Sequence, residues 1–441
     1  MMEINKDKDE IKKNIILKTE SISTHLLKAT VKICPTITKK IHDQTVSLYQ
    51  KQTHLSGYRK YQTPIKYLEE NYKNDIENNV KNFLFKHIIL DFLIEQIHNQ
   101  KISLVNYPRL KQIDINATKQ ANFVFNLSVA EPIELKEWKN FAFRAPKRKK
   151  YKDLDKQVNM FIKKEISLFK KNPLEIIQED DWVCFDAILL NEKNKPVIEE
   201  YGTNSFWIKI NNKYIKKPFQ LSLMDKKTGD TLISNMLPIT NEFSSSFKNE
   251  QYPFLIKIKK ITKGRYFWID SFKANFRLKS KQEVHKKLIE VFSYRNDISQ
   301  RKTIIEELFH LLLSKHRFEI PKHFVIRRQE NILNSLKEHP DYQVYKLQKD
   351  FERQITALAE KQLKEEIIMD QIGYKENIKI EDKDIQNYLH LFNNNKLKEF
   401  VYFKPIIEKI EESDYPLPSG LLKQAVFREK TLNHMIYVLT K

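Results

Sequence analysis

Apolar residues alternate along Leu27, Ala29, Val31 and Ile33, and again along Phe123, Phe125, Leu127 and Val129 in "ANFVFNLSV". A period of two predicts strands with one buried face. Between them the spacing changes. Pro35-Thr36 opens a helical pattern with Ile37, Ile41 and Leu48, and Val80, Phe83, Leu84, His87 and Ile88 follow at i, i+3 and i+4 intervals. Together these predict an α+β unit over residues 20–132. From "DDWVCFDAILL" at Asp181 to "YPFLIKIKKI" ending at Ile261 the chain reads as strands, with Phe254, Ile256 and Ile258 alternating. That unit is assigned to 178–263. Beyond it Ile304, Leu308, Leu311 and Leu312 share one helical face, as do Phe351, Ile355 and Leu358, so 264–441 is predicted to be all helical. "EIPKHF" and "YPLPSG" punctuate these helices. The fold class is therefore α+β and multidomain.

The connector, 133–177, carries "RAPKRKKYK" from Arg144 to Lys152. Six of its nine residues are cations, which suits a nuclear-localisation or phosphate-binding run and equally a solvated linker face. Charge widens the same question to the whole chain. Seventy-eight Lys and Arg against 57 Asp and Glu give a formal net charge of +21. Such a balance suits a polyanionic partner, whether nucleic acid, a ribonucleoprotein or an anionic membrane surface, and also arises from a lysine-rich proteome.

Several chemistries lack their residues. Cys34 and Cys184 are far apart and no His or Cys cluster has zinc spacing, so no metal is expected. The six glycines never cluster as a phosphate-cradling loop requires, and neither Gly-x-Ser-x-Gly nor His-Glu-x-x-His occurs. No nucleotide or other cofactor is expected. "MMEINKDKDEIKKN" is charged where a signal peptide needs an apolar core, and no apolar run approaches the roughly 20 residues that span a bilayer. A soluble cytoplasmic protein is expected, with no membrane partner.

One glycine, Gly57, stands in "HLSGYRKYQTP" (His54 to Pro64), directly before Tyr58, Arg59 and Lys60. Glycine permits positive φ and Pro64 restricts the chain at the far end, so a bounded loop holds out a ring and two cations. That combination suits stacking on bases and contact with phosphate, and also an ordinary basic surface loop.

The segment "GYRKYQTP" resembles the ribosome-binding signature Gly-Phe-Arg-x-Gly-x-x-Pro of the trigger factor family of ribosome-associated bacterial chaperones, with Gly57, Tyr58, Arg59 and Pro64 in register. Tyr58 keeps the ring, whereas Tyr61 stands where the second glycine is usual. The likeness continues in order along the chain. "FVFNLSVAEPIEL" (123–135) resembles the strand that closes the family's head, "EDDWVCFDAIL" (179–189) the opening of its FKBP-like domain, "LLLSKHRFEIPKHFVIRRQENIL" (311–333) the turn between two C-terminal helices, and "LKQAVFREKTLNHMI" (422–436) its closing helix.

The resemblance implies a ribosome-binding head, an FKBP-like middle domain and a helical C-terminal arm domain. Arg59 and Lys60 would meet ribosomal RNA or acidic protein near the exit tunnel, and the arms would hold nascent or unfolded polypeptides without ATP. It also implies a prolyl-isomerase pocket at Ile215, Phe219, Phe243 and Phe254. That pocket departs from the family at four places: Ala187 replaces an aromatic, Phe243 a tyrosine and Pro218 a glycine, and the first hairpin is rewritten as "NEKNKPVIEEY". Reduced or absent isomerase activity is expected. The alternative from another class is a basic RNA-binding or ribosome-binding protein with no chaperone role; whether free molecules form a homodimer is left open.

Overall fold

The structure, a computed structural model, describes residues 14–52, 57–59, 62–106, 108–115, 120–146, 153–170, 176–191, 193–197, 205–210, 217–235, 253–264, 267–295, 298–337, 339–393, 396–404 and 417–440. In the head, strands β1 (Ile15–Ser23), β2 (Leu26–Ile33), β3 (Arg109–Ile115) and β4 (Ala121–Ser128) form an antiparallel sheet in the order β1-β2-β4-β3. The alternation sets its register. Ala29, Val31 and Ile33 pair with Phe125, Phe123 and Ala121, and all six are buried. Helices α1 (Pro35–Gln52), α2 (Ile65–Asn71), α3 (Lys73–Leu84) and α4 (Leu90–Asn99) add Ile37, Ile41, Leu68, Val80, Leu84 and Leu93 to the same core. Each such side chain contributes roughly 1.5–3 kcal/mol by leaving water. Strand β1 carries no alternation. It is an edge strand with Ile15 buried and Ile16 and Ile22 exposed, so its pattern gave no signal.

After helix α5 (Leu154–Lys170) comes the middle sheet: β5 (Trp182–Leu189), β6 (Ser205–Lys209), β7 (Thr231–Ser234) and β8 (Phe254–Thr262), with the short helix α6 (Lys217–Leu223). Both faces of this sheet are covered. Val183, Phe185, Ala187 and Leu189 of β5 join the head's core, whereas Trp182 and Cys184 pack with the C-terminal helices. The same division splits Phe206 and Ile208 from Trp207 on β6. A strand buried on both sides reads as a continuous apolar run, which "WVCF" and "FWI" are.

The C-terminal part contains α7 (Ile269–Phe276), α8 (Lys281–Phe292), the two-residue ribbon β9 (Tyr294–Arg295) and β10 (Ile298–Ser299), and helices α9 (Gln300–Lys315), α10 (Lys322–Lys337), α11 (Tyr342–Lys346), α12 (Phe351–Lys375) and α13 (Asp382–Asn393). It closes with β11 (Leu417–Pro418), which joins the middle sheet beside β6, and helix α14 (Ser419–Leu439). Helices α10 and α12 run antiparallel, since Phe324 clusters with Ile367 while Gln329 bonds Thr356. At the far end of this hairpin the predicted Phe351–Ile355–Leu358 face divides. Ile355 and Ala359 are buried but Leu358 is 40% exposed, so only one side of the predicted face is covered.

A glycine lets α12 and α14 meet closely: a Cβ on Gly373 would lie 2.5 Å from Phe427 Cζ and 2.6 Å from Thr431 Oγ1. Beside that crossing four charged side chains are buried together. Arg428 on α14 donates to Asp370 (2.8 and 2.7 Å) and pairs with Glu366 at 2.8 Å, while Arg328 on α10 donates twice to Glu366 (2.6 and 2.8 Å). Both arginines reach the head, where the carbonyls of Leu104 and Val105 accept from them at 3.3 and 3.5 Å. Burial alone would raise Glu366, but Arg428 and Arg328 hold its carboxyl below the usual value. The connector is tied to the same helix: Gln371 accepts from the Ile133 N–H and donates to the Glu131 carbonyl, each at 2.6 Å.

Where β8 ends, His390 of α13 accepts from the Trp268 N–H at 3.0 Å through Nε2, and its Nδ1 lies 3.3 Å from the Lys263 carbonyl. These partners assign the proton to Nδ1 and require a neutral ring. Burial lowers its pKa from 6.5 to about 4 despite the Lys263 bond. Its contribution is therefore whole above pH 6.5 and is lost as pH falls toward 4. Urea midpoints measured from pH 6.5 down to 4.5 are expected to fall, and His390→Gln to fall less steeply by about one proton's worth of linkage.

Candidate functional site

Helices α1 and α2 bracket the basic loop. Gly57 has φ +96° and nothing within 4 Å of where a Cβ would sit, so backbone conformation and not crowding selects glycine there. The ring of Tyr58, 37% exposed, leans on Tyr67 of α2 at 5.4 Å between centroids. Arg59 is exposed, and its carbonyl accepts from the Gln62 N–H at 3.0 Å. At the loop's base Thr63 is buried, with its carbonyl accepting from Gln50 Nε2 at 2.7 Å. Pro64 then starts α2, accepting from the Leu68 N–H at 3.2 Å. A supported ring and an outward cation thus stand at a helix junction anchored from both sides. Lys60 and Tyr61 lie outside the described residues, as do Lys147 to Lys152 of the basic connector run.

Of the four residues named for the middle-domain pocket, Ile215 and Phe243 also lie outside the described residues. Phe219 of α6 and Phe254 of β8 are both buried and belong to one cluster with Phe185 and Phe206. Phe185 meets Phe219 edge-on at 5.8 Å and Phe206 at 6.0 Å. Ala187 lies two residues further along β5 and on the same buried side as Phe185, while Asp186 turns away to accept from Ser205 Oγ (2.7 Å) and pair with Lys259 (3.2 Å). Pro218 is exposed at the start of α6. Sequence reading missed that the head contributes Phe83 and His87 to this aromatic group. A histidine inside the apolar face of a helix was the one available sign.

A third feature is apolar surface on the α10–α12 hairpin. Ile326, Val344, Leu347 and Leu358 are exposed there, Leu347 at 86%. Among the described residues no group of His, Cys, Asp or Glu could hold a metal, and no helix is long and apolar enough to cross a membrane.

Residues 16–164 match the family described as "Bacterial trigger factor protein (TF)", and residues 279–433 match "Bacterial trigger factor protein (TF) C-terminus", together well over half of the chain. The chain belongs to the trigger factor family. Trigger factor of Desulfatibacillum aliphaticivorans is 21% identical over 375 residues, covering 79% of this chain and 81% of that protein. Trigger factor of Onion yellows phytoplasma (strain OY-M) is 22% identical over 429 residues, covering 90% and 94%. A solved chain described under "Promiscuous Substrate Recognition in Folding and Assembly Activities of the Trigger Factor Chaperone" is 15% identical over 96% of this chain and 99% of its own, with a TM-score of 0.35. Membership makes the protein a ribosome-associated chaperone, and the alternative of an RNA-binding protein with no chaperone role is not supported.

Burial of Phe219 has a practical consequence for any trigger factor assay on this chain. Removing a fully buried ring opens a cavity that costs about 3–5 kcal/mol. Phe219→Ala is expected to lose stability on that scale in urea unfolding, whereas Pro218→Gly at its exposed neighbour is expected to change it by less than about 1 kcal/mol.

Proposed function

We propose that this trigger factor docks on the ribosome through the loop Gly57–Pro64 and holds emerging chain segments on apolar side chains of its C-terminal helices, without nucleotide. In this reading the head (20–132), connector (133–177), middle domain (178–263) and arms (264–441) divide the work, all of it in the cytoplasm. The observation that carries it is the pairing of two exposed surfaces of opposite chemistry on linked elements: Tyr58 and Arg59 on the head, Ile326, Val344, Leu347 and Leu358 on the hairpin. A cation and a ring suit phosphate and base or an acidic protein surface, and scattered apolar side chains bind unfolded chain weakly and with little sequence preference. Lys60 belongs to the same loop by sequence and adds a second cation. Prolyl isomerisation is a weak or absent activity here, because Ala187 removes one aromatic wall and Phe219 and Phe254 are buried.

Docking and holding separate in one experiment. Arg59→Ala with Lys60→Ala is expected to lower co-sedimentation with ribosomes by about tenfold or more, the loss of one or two charge-assisted contacts. It should leave suppression of aggregation, read by light scattering without ATP, unchanged. Ile326→Ser, Val344→Ser and Leu347→Ser together are expected to do the reverse, with little change in stability since all three are exposed. Equal pelleting by parent and loop variant contradicts the docking assignment; suppression that needs ATP contradicts the holding one.

A further inference from the structure

The aromatic side of the middle sheet has an occupant, and it comes from the head. Phe254 of β8 stacks on Phe83 of α3 at 6.2 Å with the rings 6° from parallel, and on His87 at 5.3 Å and 28°. His87 also stands edge-on to Phe206 of β6 at 5.8 Å, and Phe83 and His87 stack on each other at 4.6 Å. Through Phe206 the group continues to Phe185 and Phe219. Six rings from two domains form one connected set.

The backbone between α3 and α4 makes this geometry available. Residues Phe85–Ile89 form a single π turn, which inserts an extra residue and re-aims the side chains after it. Phe83 and His87, four residues apart, point together at the middle sheet, while Phe85 stacks on Phe125 of the head's own sheet at 6.2 Å and Ile89 is buried in the head core. A second clasp lies nearby, where Gln44 of α1 donates to the buried Leu190 carbonyl at 3.0 Å. The Nε2 of His87 is buried and has no hydrogen-bond partner among the described residues, although the ring as a whole is only half-buried. An unpaired polar nitrogen is tolerated in such a place when ring contacts with Phe83, Phe254 and Phe206 offset its lost hydration. Ala187, on the same side of the adjacent strand, is buried in this packing and places only a methyl group there.

We propose that the aromatic recess of the middle domain is a docking socket for the head segment Phe83–His87, and that a proline-bearing chain reaches Phe254 only after head and middle domain separate. This rests on the FKBP-like reading of the middle domain only for the identity of the excluded ligand. The docking itself is read on the free full-length protein without ribosomes, so its failure is distinct from failure of the chaperone reading.

The test is hydrogen–deuterium exchange on three full-length variants. In Phe83→Ala/His87→Ala, exchange of β8 amides (254–262) is expected to rise about tenfold or more, while α12 and α14 keep their protection. Ala187→Phe, which alters the socket and leaves the head untouched, is expected to loosen β8 in the same way by overpacking. His87→Phe keeps the stacked ring and removes the unpaired nitrogen, and is expected to retain parental protection. A blocked Ala-Leu-Pro-Phe tetrapeptide, followed by exchange broadening of its prolyl resonances, should bind the double-alanine variant and not the parent. Unchanged β8 exchange in both loosening variants, loss of β8 protection in His87→Phe, or equal peptide binding by parent and double variant would each overturn the proposal.

Discussion

The guanidinium of Arg428 is the contact on which the arrangement depends. It is buried with Asp370, Glu366 and Arg328, and it spends its donors on two carboxylates of α12 and one backbone carbonyl of the head. Burial by itself would lower the guanidinium's pKa, but Asp370 and Glu366 hold it above its ordinary value, so the charge is fixed. A buried pair of this kind adds little net stability compared with an apolar replacement, yet removing one member strands the others at a penalty of about 3–5 kcal/mol. Its value is therefore specificity. The four charges tie α10, α12 and α14 to one another and to the Leu104 and Val105 carbonyls.

That placement links the two surfaces proposed to dock and to hold. The head presents Tyr58 and Arg59 on a loop anchored at Gln50 and Thr63, and the hairpin presents Ile326, Val344, Leu347 and Leu358 to solvent. Between them the middle sheet is covered on both faces, by the head through Phe254 and by the C-terminal helices through Trp182 and Trp207. A domain so covered serves as packing as much as a site. Ala187 and Phe219 are both buried in that packing.

Much of this was legible in the sequence wherever one face of an element is wet. The period-two runs at 27–33 and 123–129 and the helix opened by Pro35 appear where expected, because alternation is written by the boundary between core and water. Strand β1 escaped because an edge strand with a single buried side chain writes no pattern. Leu358 looked like core because periodicity counts apolar residues but not the helices that would cover them. The loop Gly57–Arg59 was marked by a glycine among cations in a glycine-poor chain and by its likeness to the family signature, and it is an exposed turn between two helices. The Arg428 cluster and the Phe83–His87 stack were not, since their partners lie tens to hundreds of positions away and no local rule pairs them.

On these contacts head and arms form one body held by a buried charge. Native-state hydrogen exchange of the full chain reads it directly. Amides of β4 in the head and α14 in the arms should open with the same free energy, and Arg428→Met should lower both together by about 3–5 kcal/mol. If the variant loosens α14 while β4 keeps its full protection, head and arms are independent bodies and Arg428 does not join them.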